Sequence, residues 1–143
     1  MAQHQIVIDT NVLIAALRST EGASYRLLNL LEQRPEIQIH LSVPLVLEYE
    51  EAGKRQAEEL GLSHSDIDDV LDYLCSVAVL HDIFYLWRPH LRDPKDDMVL
   101  ELAVSGGGLR IISYNKRDFE GSGEFGVEVE TAREFLVRIG ELK

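Results

Sequence analysis

The sequence predicts an α/β protein in which helices pack on a parallel sheet. Short β-branched runs alternate with stretches of helical period, and that alternation calls for crossover connections and parallel pairing. Polar clusters directly follow the first and the fourth of these runs, as at the carboxyl edge of such a sheet. The length, 143 residues with 45% apolar and 27% charged side chains, is that of one domain able to bury a core. No repeat, linker or low-complexity segment divides it, so residues 1–143 are expected to form one domain.

The run QIVI, Gln5 to Ile8, is a first strand ended by polar Asp9, Thr10 and Asn11, after which Val12 to Leu17 forms a short helix. SYRLLNLLEQ, from Ser24 to Gln33, is an amphipathic helix closed by Arg34 and Pro35. IQIHLS, Ile37 to Ser42, alternates as a second strand. Val43 to about Glu59 reads as one helix or two, with Gly53 the candidate for a break between them. Ser63 to Asp66 opens a helix through Val77, and a third strand is expected near Val77 to Leu80. RDPKDDMVLELA, Arg92 to Ala103, begins an acidic helix with Asp93 as N-cap, Pro94 at the first helical position and Asp96 completing a capping box. Gly106 to Gly108 follow as its C-terminal stop, which makes them a cap and not a phosphate loop. LRIIS is a fourth strand, YNKRDFEGSG a loop, VEVE a fifth strand, and a last helix starts at Thr131.

Charge narrows the function. Twenty-five acids against fourteen bases leave a net −11, which argues against long-range steering toward nucleic acid or an anionic membrane surface. Carboxylates that hold a divalent cation reverse that local field and bring a phosphate in. No apolar run approaches the roughly 20 residues that span a bilayer, and MAQHQIVID has neither a basic region nor a cleavage site. A cytoplasmic protein with no membrane partner is expected. The five histidines are scattered without zinc-type spacing and read as ordinary surface or core residues; Cys75, inside a helical pattern, reads as a small buried hydrophobe.

Where the acids sit is therefore decisive. Asp9, Thr10 and Asn11 follow the first strand, and Ser113, Asn115 and Asp118 follow the fourth; if those strands are neighbours, the two clusters face each other. At about 100° per residue, Met98, Val99, Leu100, Leu102, Ala103 and Val104 cover most of the acidic helix, which should be largely buried. Asp93, Asp97 and Glu101 share the remaining polar stripe. Glu101 is read as its solvated edge. Asp97 has no capping role, so a ligand and a solvated side chain stay equal alternatives for it. In LVLEYEEAG, geometry does not choose among Glu48, Glu50 and Glu51. Two rival site patterns fail: a haloacid-dehalogenase-like phosphatase wants an acid where Asn11 stands, and a response-regulator receiver wants an acidic pair that is missing.

IVIDTNVLIAAL, the Glu within VPLVLEYEE, DPKDDMVLELA and RIISYNKRDF occur in order along nearly the whole chain. Together they resemble the PIN domain family, in particular bacterial toxins of the VapC type. The resemblance implies a three-layer α/β/α sandwich on a five-stranded parallel sheet of order 3-2-1-4-5, and a ribonuclease that uses Mg²⁺ or Mn²⁺ held by carboxylates. By position, Asp9 matches the first family carboxylate, Glu48 the second, Asp97 the third and Asp118 the fourth. Asn11 and Ser113 match supporting polar residues, with Asp93 and Asn115 beside them. The resemblance makes Asp9 a bridging ligand, with Glu48 and Asp97 binding directly or through water and Asp118 completing the pocket. Lys116 and Arg117, beside that pocket in the sequence, and more remotely Arg18, are candidates to hold an RNA backbone, with plain solvation of basic loop residues the alternative. Several branches carry an acid where this chain has Asn115, so either Asp118 is the fourth ligand or the pocket is one charge weaker. The resemblance also implies a small antitoxin partner and a homodimer, for which the helix Tyr25 to Gln33 offers an apolar face that core packing explains equally well. The alternative is a degenerate module that binds RNA or a protein without cutting.

Overall fold

The computed structural model describes residues 4–82, 94–120, 123 and 126–143. Five strands, β1 (His4–Ile8), β2 (Ile37–Ser42), β3 (Val79–His81), β4 (Arg110–Ile112) and β5 (Val129–Glu130), form one sheet of order β3-β2-β1-β4-β5. Every pairing is parallel, with Ile6 beside Ile39 on one flank of β1 and Val7 and Ile8 beside Ile111 and Ile112 on the other. Successive strand residues point to opposite faces. Since Ile6, Val7 and Ile8 are all buried, both faces of the sheet are covered, and the architecture is the expected α/β/α sandwich.

The helices are α1 (Thr10–Arg18), α2 (Ala23–Gln33), α3 (Val43–Arg55), α4 (Ala57–Leu60), α5 (His64–Val77), α6 (Pro94–Ser105) and α7 (Ala132–Arg138). Short polar side chains start several of them. Ser42 Oγ accepts from the Leu45 amide at the head of α3, and reciprocal capping boxes, Ser63 with Asp66 and Thr131 with Glu134, open α5 and α7. α6 starts at Pro94, as expected; Asp93 lies outside the described residues. α6 ends in Gly107 and Gly108, both at positive φ, with the Gly108 and Leu109 amides donating to the Ala103 carbonyl. No described helix is long and apolar enough to cross a membrane.

Two expectations are corrected. The helix after β2 breaks at Gln56, not at Gly53. Gly53 is buried inside α3, where an added Cβ would stand 3.1 Å from Ile67 Cγ2, so this glycine allows α5 to pack close. Glu101, expected on a solvated edge, is only 3% exposed, because α6 packs on β1, β2 and β4 and also meets α3. Of the two readings of the helix Tyr25 to Gln33, the fold takes the core one for its leucines: Leu27, Leu28, Leu30 and Leu31 of α2 are buried among β2, α1 and α7.

Candidate functional site

Strand order reverses between β1 and β4, so the polar residues that follow these two strands meet at one edge of the sheet. Asp9 continues β1 through its amide, which donates to the Ile112 carbonyl, and it caps α1, its Oδ1 accepting from the Thr10 amide at 2.8 Å. It is 7% exposed. Ser113, the residue after β4, is fully buried and donates to Asp9 Oδ2 at 2.7 Å.

The direction of that bond follows from counting. A hydroxyl has one proton and two lone pairs. Both lone pairs of Ser113 Oγ are taken, by Asn11 Nδ2 at 3.3 Å and by the Asn115 amide at 3.1 Å, so its proton goes to Asp9. Asn11 is oriented in turn by the Tyr114 amide, which donates to Asn11 Oδ1 at 3.2 Å. Thus Asn11, Ser113 and Asn115 hold the Asp9 carboxylate in one orientation, although the Asn115 residue itself is exposed.

Two further carboxylates, Glu48 and Asp118, act on Asp9 from other elements. Glu48 lies on α3, half-buried. Its neighbour Tyr49 is buried and donates its hydroxyl to the Ile8 carbonyl, which pins α3 to the end of β1 that carries Asp9. Burial pushes the Tyr49 hydroxyl well above its ordinary pKa, so it stays a donor. Asp118 sits on a short 3-10 helix, Lys116–Phe119, anchored by buried Phe119 and by the Asp118 amide on the Asn115 carbonyl. Position 97 lies in the first turns of α6, a helix that packs against β1, β4 and the 3-10 helix; the Asp97 side chain is outside the described residues.

The electrostatics agree with this gathering. Burial pushes the Asp9 carboxyl above its ordinary pKa, Ser113 and the Thr10 amide pull it back, and the charges of Asp118 and Glu48 raise it again. Like charges around a buried carboxylate are what a hard divalent cation relieves, and oxygen donors without histidine suit Mg²⁺ or Mn²⁺. The donor chemistry therefore fits such an ion. Among the described residues, which exclude the Asp97 side chain, no three His, Cys, Asp or Glu stand close enough to enclose one.

The basic residues are less uniform. Lys116 pairs with Glu134 of α7 at 3.1 Å, which ties it to the fold, while Arg117 is exposed on the 3-10 helix. Arg18 and Arg55 line a cleft of about 380 Å³ together with Asn11, Glu48 and Tyr114. Reasoning from the sequence missed Tyr49, Tyr114 and Ser24, whose hydroxyl shares a 2.8 Å hydrogen bond with that of Tyr114. Their partners lie 41 and 90 residues away, and no local pattern marks them.

No curated protein matches the chain by sequence. Among solved structures it is similar to the crystal structure of VapBC2 from Rickettsia felis bound to a DNA fragment from their promoter, with a TM-score of 0.59 and 14% identity. That match covers 89% of this chain and 98% of the other, a likeness of fold. The family model of the PIN domain matches residues 5–117, which run from the second residue of β1 through β4 and include most of the residues just described. On that match, the chain belongs to the PIN domain family.

Proposed function

We propose that residues 1–143 form one nuclease domain, a Mg²⁺- or Mn²⁺-dependent endoribonuclease that serves as the toxin of a toxin–antitoxin pair in the cytoplasm. The observation that carries the proposal is Asp9, buried at the reversal of strand order, fixed by Ser113 and raised in pKa first by burial and then by the charges of Asp118 and Glu48. Asp9, Glu48, Asp97 and Asp118 hold the ion; Asn11, Ser113 and Asn115 orient Asp9, and Asp93 stands beside Asp97 in the sequence. A bound divalent ion supplies an activated water near neutral pH and neutralises charge on the phosphodiester. Arg117 meets the RNA backbone, a role Lys116 shares only by leaving Glu134. The antitoxin and a second copy of the chain are the partners proposed, the latter through exposed Val43 and Leu47 one turn apart on α3, because the leucines of α2 are spent in the core.

Cleavage of labelled RNA by purified protein in Mg²⁺, Mn²⁺ or EDTA tests the proposal. Turnover is expected only with the ion, and Asp9→Asn and Asp97→Asn are expected to lose it while melting as folded proteins. Activity that survives excess EDTA would sink the metal mechanism. Ion binding without turnover would identify a degenerate binding module instead.

A further inference from the structure

Exposed tyrosines usually lay the ring on the protein and keep the hydroxyl in water. Tyr114 does the reverse. Its hydroxyl is turned inward onto Ser24 Oγ, which is 1% exposed, while the residue stays 47% exposed. Its amide is held as well, by Asn11 Oδ1. The residue is thus held at its hydroxyl and its amide, and it lines the cleft that also contains Glu48, Thr10 and Asn11. The link to Ser24 explains the hydroxyl as a staple between α2 and the segment after β4, but not why the ring is left in solvent at this place.

We propose that Tyr114 is the stacking platform for an unpaired base of single-stranded RNA, with Arg18 and Arg55 on the same cleft taking the flanking phosphates. This rests on the ribonuclease reading of the site and adds the residues that would hold a base and its phosphates. A rigid aromatic face binds any base and loses little side-chain entropy on doing so. A base within a duplex is already stacked and cannot offer its face, which selects single strands. The two arginines are available because their present partners are weak surface ones: Arg18 donates to Gln56 at 3.3 Å, and Arg55 pairs with Glu51, both exposed. In a chain of net −11 the general field repels RNA, so binding has to come from such local features.

The test pairs Tyr114→Leu, which removes the π-face, with Tyr114→Phe, which keeps it and removes only the hydroxyl. Affinity for a short labelled single-stranded oligoribonucleotide is measured by fluorescence anisotropy in EDTA, and KM and kcat are measured in Mn²⁺. We expect Tyr114→Leu to weaken binding by about five- to a hundredfold and to raise KM with little change in kcat. Tyr114→Phe should keep most of the affinity despite a lower melting temperature. The difference between wild type and Tyr114→Leu should vanish on an oligonucleotide made abasic at one position. Equal affinity of wild type and Tyr114→Leu would overturn the proposal, as would losses in both variants that only follow their melting temperatures. So would wild-type binding to duplex as tight as to single strands, or no binding of RNA at all. Wild type that binds in a Tyr114-dependent way and never cleaves would remove the nuclease reading and leave the platform standing; Tyr114→Leu that cleaves with unchanged KM would do the opposite.

Discussion

Ser113 shows how much one buried hydroxyl decides. It accepts from Asn11 and from the Asn115 amide and donates to Asp9, so it joins the two halves of the site across 104 residues of chain. Ser113→Ala leaves two donors without an acceptor and one carboxylate oxygen without a donor, at a cost of about 1–3 kcal/mol. It also removes the largest influence that lowers the Asp9 pKa, so the carboxyl should titrate still higher. Chemical denaturation and an NMR titration of the Asp9 carboxyl carbon check the two effects separately. A variant with unchanged stability and an unmoved Asp9 titration would show that the hydroxyl is idle. Ser113→Thr, which keeps the hydroxyl, is the control for its chemistry.

Between elements, the approach of α3 to α5 is set by Gly53. Gly53→Val would place two further methyl groups where one Cβ already comes within 3.1 Å of buried Ile67, and overpacking of this kind costs about 1–3 kcal/mol. Because α3 also carries Glu48 and Tyr49, the same substitution should weaken metal-dependent activity beyond its effect on the folded fraction; paired melting and cleavage measurements test both. Across β1, β2 and β3 runs a second line of contacts, in which buried His40 meets Gln5 on one side and His81, at 2.7 Å, on the other. Burial first, and the charge of His81 second, hold the His40 ring below its ordinary pKa. The folded chain therefore favours the neutral ring. Its contribution to stability is full above about pH 6.5 and is lost as pH falls from there through the lowered folded value, because the unfolded chain then binds a proton that the folded one refuses. Thermal melts between about pH 7.5 and about pH 5.5 should show that fall in wild type and less of it in His40→Gln. Identical pH dependence in the two proteins would contradict it.

For the whole molecule the net charge of −11 is the dominant fact. Gathering Asp9, Glu48 and Asp118 near one edge of the sheet costs repulsion that the unfolded chain does not bear, a smaller contribution to the raised Asp9 pKa than burial. An ion that binds only the folded state relieves the repulsion and adds stability, about 2.7 kcal/mol at a hundred times its dissociation constant. Mn²⁺ should therefore raise the melting temperature over that in EDTA, and the rise should disappear in Asp9→Asn. Equal melting curves for wild type under both conditions would count against a shared ion site.

Local sequence alone determined the class of fold, the alternation of strands and helices, the acidic helix starting at Pro94 and the polar residues after β1 and β4, because periodicity and capping act within a few residues of chain. It misplaced the break at Gly53 and the exposure of Glu101, since both depend on which helix packs against which. Likewise the leucines of Tyr25 to Gln33 read equally as interface or core until α7 and β2 were seen to cover them. Tertiary structure alone decided that Ser113 donates to Asp9, that Tyr49 pins α3 to β1, and that Tyr114 turns its hydroxyl inward and its ring outward. These are contacts between residues far apart in the chain, and a hydrogen bond is specified by its partner's position as much as by its own residue type. Composition can supply the carboxylates of a site; only the crossing of strands at the sheet's reversal brings them within reach of one another.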